Sequence, residues 1–292
     1  MKPEYDLVLR TCNSDMTSTN GFKWPNEGDV EAPDWDPKPE CSNGLHGLLH
    51  GCGNAYLLSD DPDAKWLVVK VLKGTSIDLK GKVKFPKGTV VYAGTKEEAV
   101  KIIAEAYPGE PVVFANRHSG YDGVSTSGDY GASTSGDSGT SISGYRGTST
   151  SGYQGTSTSG NYGTSTSGYY GKSTSGNYGK STSGDGGASI SGDNGTSTSD
   201  MFGISISGDY SKSVSSYCGN STSGDYGKST SGDNGTSTSG IGGTSTSGIG
   251  GTLIIKWYDG SRLRTAVAYV GENGIEPNVA YKLDRQGNFI KA

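Results

Sequence analysis

The fold of this chain is decided by the stretch Gly152-Tyr153-Gln154-Gly155-Thr156-Ser157-Thr158-Ser159, one copy of a repeating eight-residue unit. The pattern G-x-x-G-x-S-x-S recurs about sixteen times between residues 120 and 251 without losing phase. A fixed period over this length indicates one supersecondary unit stacked on copies of itself, with each copy burying its neighbour's face. Glycine and serine also dominate flexible linkers, but a linker has no reason to keep the phase of its repeats. The sequence therefore predicts an ordered repeat.

The unit itself indicates which side chains point inward. Its two glycines bracket a tight turn, where we expect them to supply positive φ or a close backbone approach. The four residues that follow alternate between two faces, and the sixth and eighth positions are almost always serine. The fifth position accepts lysine at 172, 180, 212 and 228, which a dry core would not tolerate unpaired. We expect inward serines, and residues this small predict two close walls in a flattened parallel β-solenoid with two units, or about sixteen residues, per turn.

The composition divides the chain into three predicted regions. Residues 1–119 form an α+β N-terminal capping domain, residues 120–251 form the octapeptide-repeat solenoid, and residues 252–292 form a β-hairpin C-terminal cap. The open ends of such a rod would recruit other chains unless they were covered, which is why the flanking regions are interpreted as caps.

Within the N-terminal region, alternating apolar residues predict strands at 5–10, 66–71, 77–83 and 88–92. The strand at 77–83 is expected to pair between the strands at 66–71 and 88–92. Thr95 opens a predicted helix through the capping box Thr95-Lys96-Glu97-Glu98. The run Pro111-Val112-Val113-Phe114-Ala115 is predicted as a final strand that leads into the first coil.

The charge balance excludes some classes of partner. A formal net charge of −5 gives no basic footprint for nucleic acid, and no apolar stretch has the length of a membrane span. We expect a cytoplasmic protein of a bacterial host, with no cofactor, no direct nucleic-acid binding and no membrane association.

A short segment between residues 41 and 52 carries most of the chain's metal-ligand chemistry. Cys41, His46, His50 and Cys52 have spacings that a zinc site could use. The glycines around them argue against a regular helix, however, and buried neutral imidazoles bonded to backbone are the preferred interpretation. We predict no metal and keep these four residues only as weak candidates.

The two walls of the predicted solenoid differ in their outward residues. Odd-numbered units carry outward isoleucines at 142, 190, 204 and 206, and the last three lie near Met201 and Phe202. An apolar patch on a flat wall indicates a protein partner. We expect homodimerisation through a seam formed by Ile142, Ile190, Met201, Phe202, Ile204 and Ile206.

Several short motifs resemble those of a known group of proteins. They are Leu7–Asn13, Pro33–Trp35, Cys41–Gly47, Lys82–Pro86 and Gly250–Leu253. Through them the chain resembles uncharacterised proteins of phages and bacteria that join a small N-terminal domain to octapeptide repeats of the G-D-x-G-T-A-T-A kind. Serine replaces alanine in the present repeats, which keeps the inward residues small. The resemblance implies no settled activity but favours a phage or mobile-element origin.

Three functions compete on this basis. The preferred hypothesis is a non-enzymatic scaffold that presents a rigid surface to a protein partner, such as a host defence factor that it inhibits. The second is an enzyme resembling ADP-ribosyltransferases, with Arg10 and His46 as weak catalytic candidates, although no catalytic glutamate stands out. The third is ice binding by outward Thr-x-Thr pairs such as Thr156 and Thr158, which lysines and isoleucines interrupt; we expect no thermal hysteresis.

Overall fold

The computed structural model describes residues 4–18 and 20–292. It divides the chain into two compact units, Met1–Asn116 with Thr126–Gly131, and Arg117–Ser125 with Ala132–Ala292. The predicted fold class is confirmed: the chain is mainly β, with an N-terminal α+β region, a parallel solenoid of about 9 turns and a C-terminal hairpin.

The N-terminal unit is built on one antiparallel sheet. Its strands are β1 (Tyr5–Cys12), β2 (Gly28–Glu31), β3 (Leu45–Leu49), β4 (Lys65–Leu72), β5 (Ile77–Asp78), β6 (Val83–Phe85) and β7 (Lys87–Gly94). They lie in the order β2-β7-β4-β1-β3-β6-β5, and a 3₁₀ turn covers Ala55–Leu57. The inner strand β4 is buried on both faces and pairs with β1 on one side and β7 on the other.

The single α-helix of the described residues, α1 (Lys96–Ala106), begins where the capping box predicted it. The Thr95 hydroxyl accepts a hydrogen bond from the Glu98 backbone N–H at 3.4 Å. Ala99 and Ile103 are fully buried and pack in the cluster that also contains Leu9 and Val68 of the sheet.

Two details of the N-terminal prediction are wrong. The segment 77–83 does not lie between β4 and β7, because these two strands pair directly, as Val69 with Val90. Residues 77–83 instead contribute to β5 and β6 at the sheet edge beside β3. The run 111–115 is not a strand, because Phe114 adopts a positive φ of 59° and stacks on Tyr130, with ring centroids 5.3 Å apart.

Each coil of the solenoid contributes one short strand to each of two walls. The even wall contains β8 (Asn116–His118), β10 (Ala132–Thr134), β12 (Thr148–Ser151), β14 (Thr164–Ser167), β16 (Lys180–Ser183), β18 (Thr196–Ser199), β20 (Lys212–Ser215), β22 (Lys228–Thr230) and β24 (Thr244–Thr246). The odd wall contains β9 (Val124–Thr126), β11 (Thr140–Ile142), β13 (Thr156–Ser159), β15 (Lys172–Ser175), β17 (Ala188–Ser191), β19 (Ile204–Ser207), β21 (Asn220–Ser223), β23 (Thr236–Ser239) and β25 (Thr252–Tyr258). Strands within a wall are parallel and in register, so that Thr148 pairs with Thr164.

The turns of the solenoid differ from the prediction in one respect. The positive φ belongs to the third position of the unit, such as Gln154 at 52°, and not to the two conserved glycines. Those glycines are needed for close approach: a Cβ built on Gly155 would lie 2.6 Å from the Ser151 Cβ and 3.0 Å from the Gly139 carbonyl oxygen. Any larger residue there would collide with the neighbouring coil.

Bulky residues replace the inward serines at the C-terminal end. Leu253 and Ile255 of β25 are buried and occupy the serine positions of the unit. β25 then forms the predicted hairpin with β26 (Leu263–Tyr269), and β27 (Tyr281–Leu283) pairs with β28 (Phe289–Lys291). A small cluster of Leu253, Val270, Ile275 and Tyr281 forms the core of this end.

Candidate functional site

The serine seam fixes the outward faces of the solenoid. Ser157 is fully buried, and its hydroxyl donates to the carbonyl oxygen of Thr166 on the opposite wall at 2.5 Å. The Ser157 hydroxyl oxygen also lies 2.9 Å from the Ser151 hydroxyl on the opposite wall. Equivalent contacts recur along the rod, for example from Ser173 to Thr182. Because hydroxyls join the two walls at this distance, the intervening threonines are forced outward.

The even wall carries an almost unbroken column of threonines. The seventh position of its units is occupied, in order along the rod, by Thr134, Thr150, Thr166, Thr182, Thr198, Val214, Thr230 and Thr246. Successive members pair in register across the parallel strands, so their side chains repeat at the strand spacing of ~4.8 Å. Each Thr-x-Thr pair is evident in the sequence. The pairs align with one another because every second unit lies on the same wall.

Lysines interrupt the even wall at the fifth position only. Lys180, Lys212 and Lys228 replace threonine there, and Lys212 lies directly beside Lys228 on the next coil. The stretch from β12 to β18 contains one of these lysines. We call its outward residues the threonine face: Thr148, Thr150, Thr164, Thr166, Lys180, Thr182, Thr196 and Thr198. All eight side chains are exposed or half-buried.

The odd wall has a different outward surface. Ile190 pairs with Ile206 and Ala188 with Ile204 on the next coil, as the sequence predicted. Ile204 and Ile206 are 45% and 41% exposed, and the turn residues Met201 and Phe202 are exposed beside them in sequence. Ile142 lies further along the same wall and is also exposed. The homodimer seam on this patch stays a prediction.

The turns contain a ladder that sequence reasoning missed. Aspartate or asparagine at the second position accepts a hydrogen bond from the backbone N–H at the second position of the unit one coil further on. Asp193 Oδ1, for instance, lies 2.9 Å from the Asp209 nitrogen, and Asn161 Oδ1 lies 2.9 Å from the Asn177 nitrogen. The recurrence of Asp and Asn at this position was the available signal. The turn tyrosines also stack in places, such as Tyr162 on Tyr178 with ring centroids 4.8 Å apart.

The two weak catalytic candidates lie on one pocket of the N-terminal unit. Arg10 and His46 both line a cavity of about 760 Å³. Arg10 stacks over the Trp24 ring at 3.9 Å, and His46 is half-buried on strand β3. Among the described residues that line the pocket, the one carboxylate is that of Asp34. It accepts a hydrogen bond from the Gly44 N–H and is not placed as a catalytic base against Arg10.

The four weak metal candidates have separate environments. Cys41 is exposed with its sulfur 2.7 Å from Lys82 Nζ, whereas His50 pairs with Asp6 at 2.9 Å and stacks on Tyr107. The Cys52 thiol contacts the His50 carbonyl oxygen at 3.5 Å. Across residues 4–18 and 20–292, no three His, Cys, Asp or Glu side chains converge as a metal-binding group. Within the same described ranges, no helix is both long and apolar enough to cross a membrane.

Comparison with known proteins adds two findings. Residues 7–102 match the model of a domain of unknown function, DUF7666. The chain is also 44% identical over 107 residues to an ice nucleation protein of Pseudomonas fluorescens, and 34% identical over 143 residues to the ice nucleation protein InaU of Pantoea ananas. These matches cover 36% and 44% of this chain but only 9% and 14% of the relatives. No solved structure matches the chain.

The second match has to include repeat coils. Its 143 residues exceed the length of the N-terminal region and of the C-terminal region, so it cannot lie within either of them. A third relative, an ice nucleation protein of Pseudomonas syringae, is 41% identical over 100 residues, 34% of this chain and 9% of the relative. The repeat is thus similar to part of much longer proteins, and this chain spans only about a tenth of their length.

These relatives correct several predictions. The expected uncharacterised N-terminal family is supported by the DUF7666 match, but the phage origin is not. A phage-encoded scaffold of unknown function that binds a host factor is wrong, because the relatives are bacterial proteins whose name refers to ice. The cytoplasmic expectation is also wrong, because the relatives that the chain matches are ice nucleation proteins.

Proposed function

We propose that the solenoid binds ice through the threonine face of the even wall. The observation that carries this proposal is the register of outward threonines on successive coils, Thr148 beside Thr164 and Thr150 beside Thr166. The similarity of the repeat to ice nucleation proteins supports it.

The geometry gives the threonines a regular two-dimensional spacing. Neighbouring coils lie ~4.8 Å apart, and the fifth and seventh positions of one strand are about 6.6 Å apart, since each residue rises about 3.3 Å. The four strands of the face therefore extend roughly 14 Å along the rod. Stacking and specific side-chain ladders stabilise sheets with little twist, and the serine seam behind the face is such a ladder.

Threonine suits such a surface for two physical reasons. Its hydroxyl donates one hydrogen bond and accepts two, so each side chain can replace a water neighbour in an ordered layer. Its β-branch restricts χ1, so the hydroxyl and methyl groups of a column hold a common orientation with little further loss of entropy. Ordered first-layer water is then held at positions set by the protein backbone.

The length of the rod defines which ice activity to expect. The solenoid has about 9 turns, and the curated relatives are roughly ten times longer than the part matched. A small template supports only a small ice embryo, and small embryos grow only at deep supercooling. We expect this chain to bind ice and to nucleate it weakly.

The enzyme hypothesis has no specific observation in its favour. Arg10 and His46 share a pocket, but no catalytic glutamate accompanies them among its described lining residues.

Thermal hysteresis tests the proposal. In place of the absence of hysteresis expected from the interrupted Thr-x-Thr pairs, we now expect a freezing-point gap for the intact protein. This gap should be lost when Thr150→Lys and Thr166→Lys are combined. The matched control is Thr158→Lys with Thr174→Lys, which changes the same position on two adjacent coils of the odd wall. Equal hysteresis in both double variants, or none in the unmodified protein at millimolar concentration, would contradict the proposal.

A further inference from the structure

The N-terminal pocket lies beside the ends of two paired strands. In β1 and β3, Val8 pairs with Leu49 and Leu9 with Leu48. Arg10 directly follows Leu9 on β1, His46 lies shortly before Leu48 on β3, and both line the cavity of about 760 Å³. Ser18, Asn20 and Phe22 from the following loop line the same space. All of these residues belong to the N-terminal unit, so the pocket is independent of the threonine face.

Arg10 enters this pocket with donors to spare. Its Nε and Nη2 atoms donate to the Thr11 carbonyl oxygen at 3.3 and 3.1 Å, and Nη2 also donates to the Ser18 hydroxyl at 3.1 Å. Among the described residues no salt bridge involves Arg10, and Nη1 makes no hydrogen bond. Burial lowers the pKa of Arg10 to about 10, which leaves it charged at neutral pH. Arg10 is half-buried, and a partly desolvated guanidinium without an acidic partner favours binding of an anion.

His46 and its strand partner Lys84 are further polar groups without partners. They pair across strands β3 and β6, and Lys84 is fully buried. Neither His46 Nε2 nor Lys84 Nζ has a hydrogen-bond partner among the described residues. Lys84 Nζ lies 5.6 Å from the Trp35 ring, a cation–π contact that offsets only part of its desolvation. His46 therefore lines the pocket with a ring nitrogen that has no partner, and Lys84 adds a buried positive charge on the neighbouring strand.

The charges around His46 are predominantly positive. Burial lowers its pKa to about 4, and the charges of Lys82, Arg10 and Lys84 act in the same direction. Asp34 opposes them, but its carboxylate already accepts a hydrogen bond from the Gly44 N–H at 3.1 Å. One carboxylate therefore faces three basic side chains, and the pocket retains an excess of positive potential.

We propose that this pocket binds a small molecule through an oxyanion group held between Arg10 and His46. The free edge of a guanidinium presents paired donors whose geometry matches phosphate and carboxylate oxygens. His46 can donate from Nε2 to the same group, and Lys84 supplies positive charge from the neighbouring strand. The remaining volume exceeds what a single phosphate needs, so it leaves room for an organic portion beside Ser18 and Phe22.

Fluorescence titration of the full chain tests this proposal. Trp24 lies under the Arg10 guanidinium and donates from Nε1 to Ser18, so its emission reports on the site. Sodium phosphate, ADP and sodium acetate are titrated separately at constant ionic strength, which separates phosphate, nucleotide and simple carboxylate as sources of the oxyanion. Isothermal titration calorimetry provides a second readout that does not depend on tryptophan.

The variants are chosen to separate binding from folding. We expect saturable binding of at least one of the three probes, weakened at least tenfold in Arg10→Gln and in His46→Gln. Lys101→Gln, an exposed residue of α1 paired with Glu98 at 3.8 Å, serves as the control with unchanged affinity. Should Arg10→Gln fail to fold, the affinity of His46→Gln, a substitution at a half-buried residue, still tests the proposal.

A further variant tests the role of the unpaired charge. Lys84→Met removes a buried ammonium while keeping the length of the side chain, so the protein without ligand should melt at a higher temperature and bind the probe more weakly. The proposal is overturned if none of the three probes binds saturably, or if the probe that binds does so equally well in Arg10→Gln, His46→Gln and the unmodified protein.

Discussion

The serine seam makes a sharp prediction about Ser157. Its side chain is fully buried between the walls, 2.5 Å from the Thr166 carbonyl oxygen and 2.9 Å from the Ser151 hydroxyl. Ser157→Ala removes the hydroxyl and leaves both partners without it, which costs about 1–3 kcal/mol. Ser157→Val removes the same hydroxyl and also adds a methyl group between close walls, for a further ~1–3 kcal/mol of overpacking.

The two substitutions should therefore differ from each other as well as from the unmodified protein. Hydrogen exchange measured by mass spectrometry across residues 152–167 reports the local free energy of opening of the affected coils. We expect protection to fall by about ten- to a hundredfold for Ser157→Ala, since 1.4 kcal/mol corresponds to tenfold. Ser157→Val should lose more, and distant coils should be nearly unaffected because each coil contacts only its neighbours.

The matched control lies one residue further along the same strand. Thr158 points outward on β13, so Thr158→Val should change the protection by no more than a surface substitution does, within about 0.5 kcal/mol. Protection in Ser157→Val equal to that of the unmodified protein would refute the close, hydrogen-bonded seam. So would equal losses for Thr158→Val and Ser157→Val.

Three further predictions follow from other parts of the molecule. Lys180→Thr should extend the uninterrupted threonine pairs from two adjacent coils to four and enlarge the thermal hysteresis; an unchanged value would show that the lysine does not interrupt the face. Ile204→Lys with Ile206→Lys should convert a dimeric mass in light scattering to a monomeric one, whereas a monomeric mass for the unmodified protein would rule out the seam on the odd wall. The pKa of His46 is lowered to about 4 by burial, so the unfolded chain binds a proton first as pH falls below about 6.5, and the stability of the N-terminal unit should drop between these values. Urea unfolding at pH 7 and pH 4.5 measures this drop, which should be smaller in His46→Gln; an equal drop would assign it to other groups.

The repeat was predictable because its chemistry is local and periodic. Alternation placed the serines inward, and the lysines at the fifth position showed which face meets water. The position of the positive φ was not predictable from the glycines alone, because glycine serves two purposes. At Gly155 it permits close approach to Ser151 and Gly139, while Gln154 takes the left-handed conformation.

Other features depended on pairing between distant parts of the chain. The register places Thr150 beside Thr166 on the even wall, whereas the paired isoleucines lie on the odd wall. Both pairings follow from a coil of sixteen residues. In the N-terminal unit, local patterns predicted the strands but not their order. The order depends on how strands that are distant in sequence pack around β4, which is buried on both faces. The pocket that Arg10 of β1 and His46 of β3 share has no local sequence signal, because its lining comes from segments that are distant in sequence.

Partitioning of the protein into a slowly growing ice surface tests the central claim most directly. Fluorescently labelled protein is presented to an ice hemisphere, and the fraction incorporated is compared with that remaining in the liquid. We predict that the unmodified chain and the odd-wall variant Thr158→Lys with Thr174→Lys enter the ice, while Thr150→Lys with Thr166→Lys is excluded. Exclusion of the unmodified chain, or equal incorporation of the two double variants, would contradict the assignment of ice binding to the even wall.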